Sequence, residues 1–223
     1  MFERAGVRFR DRRDAGRALA GELTRLRGTD ALVLGLARGG VPVAYELARA
    51  LRLPLDVLVV RKLGFPTQPE LAMGAIASGG AVVWNEEVIR AAHVRESTLE
   101  HAIARATAEL ERRERAYRAG NPELGVAGRT AIVVDDGLAT GSSMLAAIES
   151  LRRRDAREIV VAVPVAPPEA CAALARVADE LVCAFTPRRF FSVGAWYADF
   201  DQTGEEEVRR LLALARQDAP APA

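Results

Sequence analysis

Two adjacent carboxylates, Asp135 and Asp136, follow a short β-branched run, Ile132–Val134, and precede a turn of small and hydroxylated residues, Gly137-Leu138-Ala139-Thr140-Gly141-Ser142-Ser143. Apolar residues then recur at helical spacing at Met144, Leu145 and Ile148. Strand, acid pair, small-residue turn and helix start make a phosphate site with two carboxylates beside it, because free amides and the positive end of a helix hold an anion. Thr140, Ser142 and Ser143 add hydroxyl donors around the same amides. The acids call for something rich in hydroxyls or positive charge; two like charges at a strand end repel each other and bring no packing benefit of their own. The turn holds no lysine, which excludes the GxxxxGK loop of nucleoside triphosphatases. A second turn, Ala37-Arg38-Gly39-Gly40, follows the apolar run Ala31–Leu36 and does not fit GxGxxG. Its glycines let a ligand reach the backbone, and Arg38 suits an anion. Lys62, after the run Val57–Val60, places another cation at a strand end.

These residues need a scaffold that brings strand ends together. Strand–helix–strand succession between Ala31 and Val60 implies parallel strands joined by a right-handed crossover, and in such sheets ligands collect at the carboxyl ends. The same alternation returns after Ile148, so the fold class is α/β, with a mainly parallel central sheet flanked by helices; the aromatic C-terminal segment stands apart from that alternation. Asp11–Leu26 reads as a packing helix with no functional part. Ala72–Ala77 and Ala81–Trp84 form a hairpin around Ser78-Gly79-Gly80. Glu86–Tyr117 reads as a long helical region with an apolar stripe at Ile103, Ala106 and Leu110, its ERRERAYR end mostly a solvated face. With 223 residues and net charge +1, the chain suits one domain, 1–216, and offers no global argument for nucleic acid or a membrane surface. No apolar run is long enough to span a bilayer, and the charged start lacks a signal-peptide core, so a cytoplasmic protein is expected. Cys171 and Cys183 are too few for a disulfide framework, and His93 and His101 lack ligand spacing, so no protein metal ligand is assigned. The Pro/Ala-rich end, 217–223, reads as a disordered tail.

The segment VVDDGLATGSS resembles the phosphoribosyl pyrophosphate (PRPP) signature of the type I phosphoribosyltransferases. The resemblance runs from about Ala31 to Gln202: ARGGVPVA is similar to the family's pyrophosphate loop, VVRKLG to its next strand, and the aromatic segment 188–203 to its hood. With PELAMGA and FFSVGAWY, these look most like an uncharacterised bacterial branch of the family.

The resemblance implies a magnesium-dependent transfer of 5-phosphoribosyl from PRPP to a nitrogen of a nucleobase, purine-like foremost, with release of pyrophosphate. Leu138, Ala139, Thr140, Gly141, Ser142 and Ser143 would hold the 5′-phosphate. Asp135 and Asp136 would bind the ribose hydroxyls and act catalytically on charge at the anomeric carbon. Ala37, Arg38, Gly39, Gly40 and Lys62 would hold pyrophosphate, with a cis peptide at or beside Ala37–Arg38. Mg2+ would sit mainly on substrate oxygens. In the hood, Tyr197 or Trp196 would stack on the base and Asp199 would read an exocyclic group. A homodimer is expected, with 64–117 as a hairpin and helical lid or insert. Two rivals stand beside this: a PRPP- or nucleotide-binding regulator without turnover, and a hydrolase of a phosphoribosyl compound.

Overall fold

The apolar run before the first glycine turn becomes strand β1 (Leu32–Leu36), all five residues buried. In the computed structural model, which describes residues 8–65 and 68–218, β1 lies between β2 (Leu55–Leu58) and β6 (Thr130–Val134), parallel to both. Beyond β6 lie β7 (Glu158–Val165) and the edge strand β8 (Glu180–Phe185), again parallel. The order is β2-β1-β6-β7-β8. Strands buried on both faces are continuous Val/Ile/Leu runs rather than alternating ones, as in TAIVV of β6, where no residue is left exposed. Register fixes the site: Gly35 pairs with Val134 and Leu36 with Leu58, so the turns after β1 and β6 leave the sheet side by side.

Helices cover both faces. α1 (Arg12–Glu22) is capped by Asp11, whose carboxylate accepts the Asp14 amide at 2.7 Å, a cap worth about 1 kcal/mol. It packs on α2 (Gly40–Leu51), where Gly16 is needed because a Cβ would overlap the Val43 carbonyl. α5 (Ser142–Arg153), α6 (Pro168–Leu174) and the closing helix α7 (Glu205–Asp218) complete the layers. Gln217 and Asp218, expected in a disordered tail, instead finish α7; residues 219–223 of that expectation lie outside the described residues.

The insert departs from the sequence reading in two ways. The strand expected at Val57–Val60 ends at Leu58, and Val60 begins β3 (Val60–Phe65) of a separate antiparallel sheet with β4 (Gln68–Ala77) and β5 (Val82–Trp84). Val59 is the hinge: its amide donates to Ser78 Oγ at 2.9 Å and its carbonyl accepts the Ser78 amide at 2.9 Å, so neither group remains for the main sheet. The hairpin around Ser78-Gly79-Gly80 is present, with Ile76 opposite Val82. The helical region divides into α3 (Glu86–Ala91) and α4 (Glu96–Arg118), parted at His93, which takes a left-handed φ of 48°. Ala106 and Leu110 join the core as expected, and Glu111, Arg112 and Arg115 of the charged end are exposed, but its last two residues, Tyr117 and Arg118, are buried. Arg118 reaches Asp56 of β2 at 3.1 Å.

Candidate active site

The two loops singled out in the sequence touch. Gly39 and Gly40 press so closely on the acid pair that a Cβ at Gly39 would overlap the Asp136 carboxylate, and one at Gly40 would overlap the Val134 carbonyl and the Asp135 backbone. Backbone cannot yield as a side-chain tip can. Gly40→Ala is therefore expected to cost about 1–3 kcal/mol of stability through overpacking, seen as a melting temperature lowered by about 2–4 °C per kcal/mol. The Ala37–Arg38 peptide is cis, at the expected place. Arg38 is half-buried and forms no ion pair with any described residue.

On the other side of the acids, Gly141 adopts a left-handed φ of 77° and turns the chain into α5 without a side-chain cap. The amides of Ala139, Thr140, Gly141 and Ser143 find no acceptor among the described residues, and the Thr140 and Ser142 hydroxyls lie 3.0 Å apart. Ala139, Thr140 and Ser142 are exposed. This is an open anion cradle at a helix start. Leu138 does not belong to it: its amide donates to the Val165 carbonyl at 2.9 Å and its side chain is buried in the core.

Burial, then the neighbouring Asp136 charge, pushes the Asp135 carboxyl well above the usual carboxylate range. Its one hydrogen bond to a described residue is accepted at Oδ1 from the Asp136 amide, at 2.9 Å. Asp136 is also raised by burial, but Arg12 opposes the shift, donating from Nε to Oδ2 at 2.7 Å. Arg12 stands over the Phe200 ring at 3.9 Å and donates to the Asp201 carbonyl at 2.7 Å, while Tyr197 Oη donates to the Asp136 carbonyl at 2.6 Å. Asp136 is thus held by α1 and the hood together. α1 is more than a packing helix; the sequence carried no local sign of this, because Arg12 and Asp136 are 124 positions apart.

Arg12→Ala would leave Asp136 partly buried without its cation. The expected loss is about 1.5–3 kcal/mol. With Arg12 gone the Asp136 pKa rises further, so protonation favours the folded variant at low pH and this help is lost as pH climbs through the raised value. Thermal melts should show a larger deficit at pH 8 than at pH 5; a deficit independent of pH would count against the pairing.

The place of Lys62 in the fold differs from the sequence reading, and the hood expectation is corrected. Lys62 is exposed on β3 opposite Ala75, in the second sheet rather than at the end of a main-sheet strand. The rings of Trp196 and Tyr197 are buried, at 6% and 5% exposure, so neither presents a face for stacking; Tyr197 packs on Phe9 and Phe200. The ring that the hood exposes is Phe191, at 80%. Asp199 lies at the surface, lining a small cavity of about 220 Å³ with Arg12, Pro42 and Asp201.

A parallel sheet whose two adjacent strand-end loops, one glycine-rich and one a helix-start anion cradle, meet over paired acids is the architecture of the type I phosphoribosyltransferases. The model of the phosphoribosyl transferase domain matches residues 10–182, and the chain belongs to that family. Two provisionally named phosphoribosyl transferases of Mycobacterium tuberculosis, from strains CDC 1551 and H37Rv, are each 47% identical over 210 residues, 94% of this chain. The chain spans about half the length of these curated relatives, 47%. The crystal structure of TT1426 from Thermus thermophilus superposes with a TM-score of 0.79 at 45% identity, covering 92% of this chain and 97% of that one. Among the described residues no helix is long and apolar enough to cross a membrane.

Proposed function

We propose that the protein transfers 5-phosphoribosyl from PRPP to a nitrogen of a nucleobase, foremost a purine-like one, and releases pyrophosphate. The observation that carries this reading is the seating of Gly39-Gly40 on Asp135-Asp136, which sets an Arg38 loop and an open amide cradle on either side of one carboxylate pair. A ligand phosphorylated at both ends with a sugar between them fits that spacing of chemistry. The cradle amides and the Thr140 and Ser142 hydroxyls hold the 5′-phosphate. Arg38 and the loop backbone hold the pyrophosphate, and Asp135 faces the ribose. As pyrophosphate leaves, positive charge grows at the anomeric carbon, and a carboxylate held in place stabilises it without reorganising. Positioning of the attacking nitrogen supplies the rest.

A magnesium ion fits this site through Asp135, whose second oxygen accepts no hydrogen bond from the described residues. No three His, Cys, Asp or Glu side chains cluster among the described residues, so phosphate and ribose oxygens would complete a hard-cation shell. When bound, the ion neutralises the departing pyrophosphate.

The test is incubation with PRPP, magnesium and a panel of bases, with any nucleotide identified by mass. One base should yield a nucleotide and stoichiometric pyrophosphate. Tight PRPP binding with no product from any base would overturn the transferase reading and support a ligand-binding regulator. That second reading has its own observation: Arg12 already neutralises one of the two acids.

A further inference from the structure

The chain's two thiols meet at the edge of the main sheet. Cys171 lies on α6 and Cys183 on the edge strand β8, and both side chains pack, half-buried, into the cluster between that helix and the sheet. Thr186, exposed just past the end of β8, touches both sulfurs. Its hydroxyl donates to Cys183 Sγ at 3.4 Å and stands 3.8 Å from Cys171 Sγ. With its proton given to Cys183, that hydroxyl is left to accept from the Cys171 S–H, and Cys183 in turn donates to the Phe185 carbonyl at 3.3 Å. Burial first, then the Cys183 sulfur beside it, push the Cys171 thiol up to about 11.

Cysteines that serve only as small apolar filler are shut away from solvent and stay inert. Here both sulfurs keep a side open to solvent, and they come from two elements packed face to face. Strand alternation settles the direction of Cys183: Leu181 and Cys183 join the α6 side, Val182 and Ala184 the opposite face. The helix also backs the site already described, because Leu174 at its end lies 3.6 Å from where a Cβ would stand on Gly141 of the cradle.

We infer that Cys171 and Cys183 are a redox-modification site, a dithiol that a small-molecule disulfide oxidises to an intramolecular bond tying α6 to β8. One cysteine thiolate attacks a sulfur of the small disulfide; its S–S bond breaks, and one small thiol leaves, taking up a proton. The second cysteine thiolate attacks the protein sulfur of the mixed disulfide, closes the Sγ–Sγ bond and expels the second small thiol. Two protein thiols are thereby oxidised, one disulfide is reduced to two thiols, and the two cysteine protons end on those thiols. The upward push that Cys183 exerts on Cys171 disappears once Cys183 is held in a mixed disulfide, so it does not oppose the closing step. The site uses neither the acid pair nor its loops and is independent of the transferase reading.

Oxidised glutathione serves as the probe, on the full chain near the ordinary thiol pKa of about 8.5. Intact mass without reductant should show a chain lighter by two hydrogen atoms and free of glutathione, and peptide mapping should join Cys171 to Cys183. The melting temperature should rise by about 5–12 °C and fall back on treatment with dithiothreitol. In Cys171→Ser the closing step is impossible, and glutathione should stay on Cys183. Should that variant fold poorly, Cys183→Ser should retain glutathione on Cys171 in the same way. Thiols left unreacted, a glutathione adduct that persists on the wild-type chain, or a bond between two copies would each overturn the inference. So would an oxidised chain that melts no higher than the reduced one.

Discussion

Asp135→Asn is expected to melt above the wild-type protein while losing about 100- to 1000-fold in phosphoribosyl transfer, the scale of removing one fixed group that stabilises transition-state charge. The two effects have one cause. Burial and the adjacent Asp136 raise the Asp135 carboxyl above its unfolded value, so the charged form is costly in the folded state. For a raised acid the contribution to stability is complete below the unfolded pKa and is lost as pH rises through the folded pKa. Asparagine keeps the Oδ1 that accepts the Asp136 amide and is neutral at every pH. The gap in melting temperature, about 2–4 °C for each kcal/mol relieved, should therefore widen toward pH 8 and close near pH 4. Melts across that range, with product formation assayed alongside, decide the matter: unchanged turnover would remove Asp135 from catalysis, and a variant that melts lower at pH 8 would refute the charge penalty.

Asp56→Ala should have the largest effect on stability. Asp56 is fully buried in β2 and accepts from Arg118 Nε at 3.1 Å, the Leu124 amide at 2.9 Å and its neighbour Val57 at 2.8 Å. It is the anchor by which the end of α4 and the segment after it are tied to the parallel sheet. Removing it leaves the buried Arg118 with only the exposed Glu123 carboxylate, at 3.3 Å, as a charge partner and strands two amides, a change worth about 3–5 kcal/mol, or about 6–20 °C in melting temperature. Chemical denaturation would measure it. The double replacement Asp56→Ala with Arg118→Met should recover part of the loss, since a buried pair is worth little over an apolar one once both charges are gone. A loss below about 1 kcal/mol would show that the pair is solvated rather than buried.

What could be read from the sequence was local. The buried strands announce themselves as Val/Ile/Leu runs, and the acid pair with its turn is contiguous from Asp135 to Ser143, so its place at a strand end and the helix start after it needed no tertiary information. The glycine loop at 37–40 was legible for the same reason. What was missed depends on partners distant in the chain. Lys62 falls in the second sheet because Ser78 takes both backbone groups of Val59. Arg12 looks like any of the arginines around it until α1 is docked over Asp136. Tyr197 was a plausible stacking ring by composition, but its hydroxyl bonds to the Asp136 carbonyl and its ring goes into a cluster with Phe9, a residue outside the segment taken as the hood. Arg118, in a run of charges that reads as solvated, is neutralised by an acid 62 residues earlier.

The strand order has a consequence for how the chain is made. β1 is paired on one side by β2 almost as soon as it emerges, but its other neighbour, β6, begins only at Thr130. At ~5–20 residues per second, a ribosome leaves that edge of β1 open for about 5–20 s, with Arg38 and the glycine loop hanging beside it. The β3–β5 sheet and α4 emerge in that interval and can close on each other through neighbouring contacts before the main sheet is complete. The anion site is then created in one step, when β6 slots in and delivers both aspartates to a loop already waiting. Truncated or stalled chains that stop short of Thr130 should accordingly be aggregation-prone through that open edge.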